Sequence, residues 1–277
     1  MSRLERLFCP QWAGGWTLSR WIYAAIGLGF HLPRGQWIED AYADPTFLYS
    51  RPPLRIPDWW ILSTTSATAL WLLGVAGLLL ILRGGRLTRP ALLLWVVSST
   101  ILVCHEGLNW KAYDRIHVLM GLAMMFGPVS EGKLTAKARS PLGRWLVLLI
   151  FCSLYGMTGW TKAMEPGWWS GTILAYHLVD LNFGHMPLGI WVSGFPALTQ
   201  LLSICTIAFE GLFPFLVLSR RFNPWLLLVG TVFHLSLLVL MNVGPFSIVS
   251  LCAYPVLLHP QCAQQLWGRI RSMRSPT

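Results

Sequence analysis

The sequence predicts an all-α, polytopic transmembrane helical bundle of about eight spans, with both termini cytoplasmic. Composition is the first reason. Hydrophobic residues make up 55% of the 277 and charged residues 12%, about half the charged share of a soluble domain. Mean hydropathy is +0.55, so too little polar surface exists to cover an aqueous core. The second reason is run length, because a helix crosses the hydrocarbon with about 20 apolar residues. The third is the distribution of Lys and Arg.

Segments of spanning length fall near residues 14–31, 59–82, 90–110, 114–130, 141–164, 197–218, 224–242 and 243–259. The last two are parted only by Asn242-Val243-Gly244-Pro245. The fourth and eighth are short, so tilt, re-entry or shielding by neighbours would accommodate them. The runs are rich in Leu, Ala and Trp and lack the alternation of a barrel strand.

With a cytoplasmic N-terminus and eight crossings, inner segments hold fourteen of the twenty-one Lys and Arg residues: Arg3, Arg6, Arg83, Arg86, Arg89, Lys133, Lys137, Arg139, Arg144, Arg220, Arg221, Arg269, Arg271 and Arg274. Outer segments hold six: Arg34, Arg51, Arg55, Lys111, Arg115 and Lys162, while Arg20 lies within the first span. This is the bias of the positive-inside rule. The net charge of +10 therefore points to anionic lipid at the inner surface, not to nucleic acid. The localisation that follows is an integral multipass membrane protein, in the plasma membrane if the chain is bacterial.

One transmembrane domain is expected over residues 1–260, followed by a short basic cytoplasmic tail over 261–277. No internal repeat or low-complexity linker divides it. The six cysteines form no C-x-x-C pair, which argues against a thiol–disulfide quinone reductase and makes them small apolar fillers. No cleavable signal peptide is expected, since Cys9 and Pro10 interrupt the N-terminus. Two longer outer segments, 33–58 and about 165–196, carry prolines and aromatic residues. Both are expected to lie on or dip into the outer leaflet.

Ionisable residues inside spans are costly, so each needs an account. His105, Glu106 and Asn109 close the third span; Asp114, Arg115 and His117 open the fourth; Lys162 closes the fifth; Glu165, His177, Asp180 and His185 follow. Snorkelling and helix capping account for such positions without any chemistry. Asp114 and Arg115 fit a helix start, and His31 and His259 fit the interface. Glu210 and His234 sit deeper. A carboxyl–imidazole pair between them would satisfy both, as a structural or as a catalytic device. No metal-ligand set is assigned.

The stretch Tyr155-Gly-Met-Thr-Gly-Trp-Thr-Lys162, followed by Trp168-Trp-Ser-Gly171, and the step from Phe233-His234 across nine residues to Gly244-Pro245-Phe246 resemble the membrane core of vitamin K-dependent γ-carboxylases and related HTTM-domain proteins. The resemblance covers roughly residues 95–260 and, more weakly, the N-terminal third. It implies a carbon–carbon lyase acting on a peptide or small substrate at the outer leaflet. The implied cofactor is reduced vitamin K or another isoprenoid quinol, with CO2 and O2 as cosubstrates. Lys162 falls on the base that deprotonates the quinol, and His117 is the nearest match to the histidine at the oxyanion, one position out of register.

Glu210, His234 and Trp160 are expected around the cofactor. An ordinary lysine is protonated at neutral pH, but an apolar helix end beside Trp160 and Trp168 penalises the ammonium. A lysine serving as an outer-leaflet anchor fits the same position. No counterpart of the large lumenal domain of the eukaryotic carboxylases is expected within these residues. A second reading is therefore a non-catalytic HTTM protein that assists maturation or export of a secreted peptide. A transporter ranks below both, because no discontinuous repeat pair is visible.

Overall fold

The computed structural model describes residues 11–43, 62–105, 112–129, 137–138, 141–181, 183–184, 187–243, 245–263 and 265. Of the sequence expectations, those on Glu106, Asn109, His185, most of the 33–58 segment and nearly all of the tail lie outside these residues. The described chain is mainly helical, with one two-residue antiparallel pair, β1 (Gln11–Trp12) on β2 (Lys137–Ala138). Among the described residues, five helices are long and apolar enough to cross a membrane: Thr64–Arg83, Gly85–His105, Leu142–Met164, Pro196–Leu216 and Asn223–Leu240. The chain folds as two compact units, Met1–Arg144 and Trp145–Thr277.

In the first unit, α1 (Ala13–Arg34), α2 (Thr64–Arg83), α3 (Thr88–His105) and α4 (Ala112–Met125) pack around Trp16, Tyr23, Leu78, Leu92, Trp95 and Met120. Ser63 caps α2, its Oγ accepting from Ser66 N at 3.1 Å. Gly84 and Gly85, both left-handed with φ of +73° and +80°, turn the chain from α2 into α3. These two helices pack closely because Gly77 has no side chain: a Cβ there would lie 3.0 Å from the Ala91 carbonyl oxygen and 3.1 Å from Trp95 N.

Arg20 is buried in α1 and satisfies the open end of α4. Its guanidinium donates to Pro128 O at 2.7 Å and Met124 O at 3.2 Å, where unpaired helix carbonyls attract a cation. His31, expected at an interface, is instead 4% exposed. Trp95 and Trp71 pack on its ring, and the Trp71 indole donates to its backbone oxygen.

The second unit contains α5 from Trp145 onward (the helix runs Leu142–Met164), α6 (Pro166–Trp169), α7 (Thr172–Val179), α8 (Leu188–Ser193), α9 (Pro196–Leu216), α10 (Asn223–Leu240) and α11 (Phe246–Leu257). The short helices α7 and α8 fold together through Leu174, Leu178 and Val192, against Trp168, Leu198, Leu202 and Leu240. Asn223, fully buried, ties three helix ends. Its amide donates to Val217 O and Leu257 O, and its oxygen accepts from His259 N.

Candidate functional site

Two glycines of α5 decide where Lys162 goes. Gly156 and Gly159 lie on one helix face with Tyr155, Thr158 and Lys162 nearby in the turn pattern. A Cβ on Gly159 would come within 2.6 Å of Gly211 N and 2.9 Å of Glu210 C. Backbone therefore meets backbone between α5 and α9, as small residues allow in membrane helices. One turn on, this contact carries the Lys162 amine to the Glu210 carboxylate.

Lys162 Nζ donates to Glu210 Oε1 and Oε2, both at 2.6 Å. The lysine side chain is 19% exposed and the glutamate 7%. The ammonium also lies 5.0 Å from the centre of the Trp168 ring, a cation–π contact. Trp168 is held there by local structure. The left-handed Gly171, φ +78°, permits the turn after α6, and a Cβ on it would strike Gln200. Ser203 donates to Trp168 O, Gln200 donates to Trp169 O, and the Trp169 indole closes the end of α5 on Ala163 O.

The expectation that Glu210 pairs with His234 is corrected. Both are buried, but the carboxylate is taken by Lys162 and the imidazole by Tyr155, whose Oη lies 2.6 Å from His234 Nε2. His234 is enclosed by Tyr155, Phe233, Phe246 and Tyr254. Tyr155 packs on Phe209 and Phe213 of α9, the residues flanking Glu210 by one and three positions. Both polar pairs thus join α5 to another helix: Lys162 to α9, Tyr155 to α10.

Trp160 does not pack on Lys162. It is 61% exposed, because residues two apart on a helix point to different faces; Trp168 supplies the ring on Lys162. His117 belongs to the first unit and Lys162 to the second. There His117 Nε2 donates to Tyr23 O at 3.3 Å, while Tyr23 Oη donates to His117 O and accepts from the Trp95 indole. Asp114 opens α4 and pairs with Arg34 at 2.8 Å. The residue that sequence reasoning missed is Tyr155. It is the first residue of the stretch that carries the resemblance, and a tyrosine within an apolar run implies a partner for its hydroxyl.

An apolar cavity of about 250 Å³ lies between α7, α9 and α10 in the second unit. Its walls include Leu174, Leu202, Phe209, Val232, Phe233 and Leu240. Two hydroxyls also line it, but both are satisfied within their own helices: Thr206 donates to Leu202 O and Ser236 to Phe233 O. Its surface therefore offers hydrocarbon, which suits an isoprenoid or acyl chain and not a polar headgroup. Phe209 and Phe233 adjoin Glu210 and His234 in sequence, so the apolar wall and the polar pairs are built on the same helices. Among the described residues, no group of three or more His, Cys, Asp or Glu side chains gathers as metal ligands do.

No family model matches the chain, and neither a curated protein nor a solved structure is significantly similar to it.

Proposed function

We propose that the chain is a multipass membrane enzyme of the vitamin K-dependent γ-carboxylase and HTTM type, with eight crossings, cytoplasmic termini and a site at the outer leaflet. The single observation that carries this reading is the partly open Lys162–Glu210 pair beneath Trp168. It sits on the sequence stretch that resembles the carboxylase base.

The chemistry asked of the chain's own residues is proton transfer. Lys162 must present a neutral amine to act as a base. Glu210 Oε1, at 2.6 Å from Nζ, is the acceptor that can take the ammonium proton and leave the amine free. Trp168 screens one side of the amine. The apolar cavity beside α9 and α10 would hold the chain of an isoprenoid quinol such as reduced vitamin K. When bound, that quinol supplies, with O2, the strong base needed to add CO2 to a glutamate of a secreted peptide.

The test is co-expression with a secreted peptide carrying clustered glutamates, read by mass spectrometry for glutamate carrying added CO2. Lys162→Arg and Lys162→Ala should both abolish the product while the protein still inserts, because guanidinium stays protonated. Full activity in Lys162→Arg would end the proposal.

A non-catalytic role in peptide maturation or export is the second reading. What favours it is the bidentate geometry of the pair, which also suits a lock between α5 and α9. A double Lys162→Met, Glu210→Met variant that supports peptide maturation as well as the wild type would favour this reading.

A further inference from the structure

One end of the first unit holds a cavity that the proposed reaction does not use. It lies at the left-handed Gly84-Gly85 turn and has a volume of about 30 Å³. Thr17, Arg20 and Trp21 of α1 line it, with Gly84, Gly85 and Thr88, among others. A space of about 10–15 Å³ suffices for one water-sized group, so this one takes about two oxygens. The turn does not crowd it: a Cβ on Gly84 or on Gly85 would meet nothing within 4 Å.

The charges around the cavity are of one sign. Arg20 is buried, and the partners of its guanidinium are all neutral: the carbonyl oxygens of Pro128 and Met124, and the Trp16 ring at 5.8 Å. Its Nε is buried without a hydrogen-bond partner. Among the described residues, the acidic side chains of this unit are Glu39, Asp40 and Asp114. Asp114 pairs with Arg34, which lies fourteen residues, or about 21 Å, along α1 from Arg20. Glu39 and Asp40 follow Arg34 in the chain. Further cations stand where an acid is wanted. Arg89 is exposed, directly follows Thr88, and its charge acts on that of Arg20. Arg83, also exposed, directly precedes Gly84. A buried cation without a counter-ion is costly, and a second cation beside it adds repulsion. An anion relieves both.

The surroundings select the kind of anion. Trp21 lines the cavity and is exposed, and so are Leu18 of the same helix and Leu87 beyond the turn. Phosphate oxygens can therefore meet the guanidinium while acyl chains lie on these apolar side chains. A free phosphate would use the charges alone. Basic pockets between helices at the cytoplasmic face bind lipid headgroups in this manner, and the proposed topology places the Gly84-Gly85 turn on that face.

We propose that this cavity is a binding site for the phosphate of one anionic phospholipid, whose charge answers Arg20 and Arg89. It is a single site, beyond the general attraction of a basic surface for the membrane. It uses neither Lys162 nor Glu210, so it stands apart from the proposed reaction.

The experiment is native mass spectrometry of the delipidated full-length protein in detergent, titrated with phosphatidylglycerol or with phosphatidylcholine of the same acyl chains. The first phosphatidylglycerol should bind about tenfold tighter than the first phosphatidylcholine, as two nearby cations warrant. Arg89→Gln should weaken that first phosphatidylglycerol by about fivefold and leave phosphatidylcholine unchanged. Arg221→Gln removes an exposed arginine of the second unit and should leave the first phosphatidylglycerol unchanged. Thr17→Phe fills the cavity and should abolish the preference between the two lipids. Equal affinities of the wild type for the two lipids would overturn the site. Equal weakening in Arg89→Gln and Arg221→Gln would do so too, since binding would then be diffuse. If Thr17→Phe fails to insert, the comparison of the two arginine variants decides. Excess inorganic phosphate should not displace the lipid, and full displacement would overturn the lipid as the occupant.

Discussion

Lys162 Nζ stands 2.6 Å from each carboxylate oxygen of Glu210, across a contact where Gly159 lets its helix meet the backbone of Glu210 and Gly211. The amine is the last basic group of α5 and the carboxylate is buried inside α9. Neither position signals the other in the sequence. Their pairing sets the terms for the predictions that follow.

Removing one member of the pair should cost more than removing both. Lys162→Met leaves Glu210 buried and uncompensated, a loss of about 3–5 kcal/mol. Lys162→Met with Glu210→Met replaces the pair by hydrocarbon and should recover much of that. The double-mutant cycle is measured by thermal or denaturant unfolding in detergent micelles. Additive losses would mean the two side chains do not interact.

Gly159→Val should separate α5 from α9. Its Cβ would need the space of the Gly211 backbone at 2.6 Å, and backbone cannot yield as a flexible side chain can. Gly29 is the control: a Cβ there meets nothing within 4 Å, so Gly29→Ala should be neutral or gain a few tenths of a kcal/mol in helix propensity. Unfolding midpoints compare the two. Equal effects would remove the close approach from the account.

Tyr155→Phe should destabilise the second unit by about 1–3 kcal/mol, because it strips His234 Nε2 of its partner inside an aromatic enclosure. Adding His234→Leu should return part of the loss, since no imidazole is then left unpaired. Stability of the single and double variants in one detergent decides it. A Tyr155→Phe protein as stable as wild type would mean that the phenol–imidazole bond contributes nothing.

Arg20→Leu should lower the stability of the first unit by about 1–3 kcal/mol. It withdraws the charged donor from Met124 O and Pro128 O at the end of α4. Arg20→Lys should rescue only in part, since a single ammonium lacks the planar fork that reaches both carbonyls. Thermal unfolding of the three proteins tests the order.

Terminal reporter fusions test the topology of the proposed reading. The fourteen-to-six distribution of Lys and Arg predicts that reporters active only inside the cell work at both ends. Activity of an external-only reporter at either end would remove the eight-crossing arrangement, with 114–130 and 243–259 the first spans to reconsider.

The helices themselves were legible in the sequence. Apolar run length alone located α1 through α5 and α9 through α11 to within about five residues at each end, with the last two parted near Asn242. Five of them are of membrane-crossing length and composition. The reason is local: lipid demands that each segment satisfy its own backbone, so the run of apolar residues is itself the signal. That Glu210 and His234 face the interior was legible too, because an ionisable group deep in an apolar run has to find a partner.

Which partner it finds was not legible. Glu210 and His234 look matched by depth, yet Glu210 meets Lys162, 48 residues away, and His234 meets Tyr155, 79 residues away. The rotation of each helix and the closeness of its neighbours decide this, and Gly159 on Gly211 sets both for α5 and α9. The same holds for His31. Its place near a helix end suggested the interface, but Trp71 and Trp95 close over it. The sequence by itself determined that this chain is a set of apolar helices with a few charged residues that must be paired. Tertiary packing alone decided the pairs, because hydrogen bonds and charges act over a few ångströms and only the docked helices bring distant residues that near.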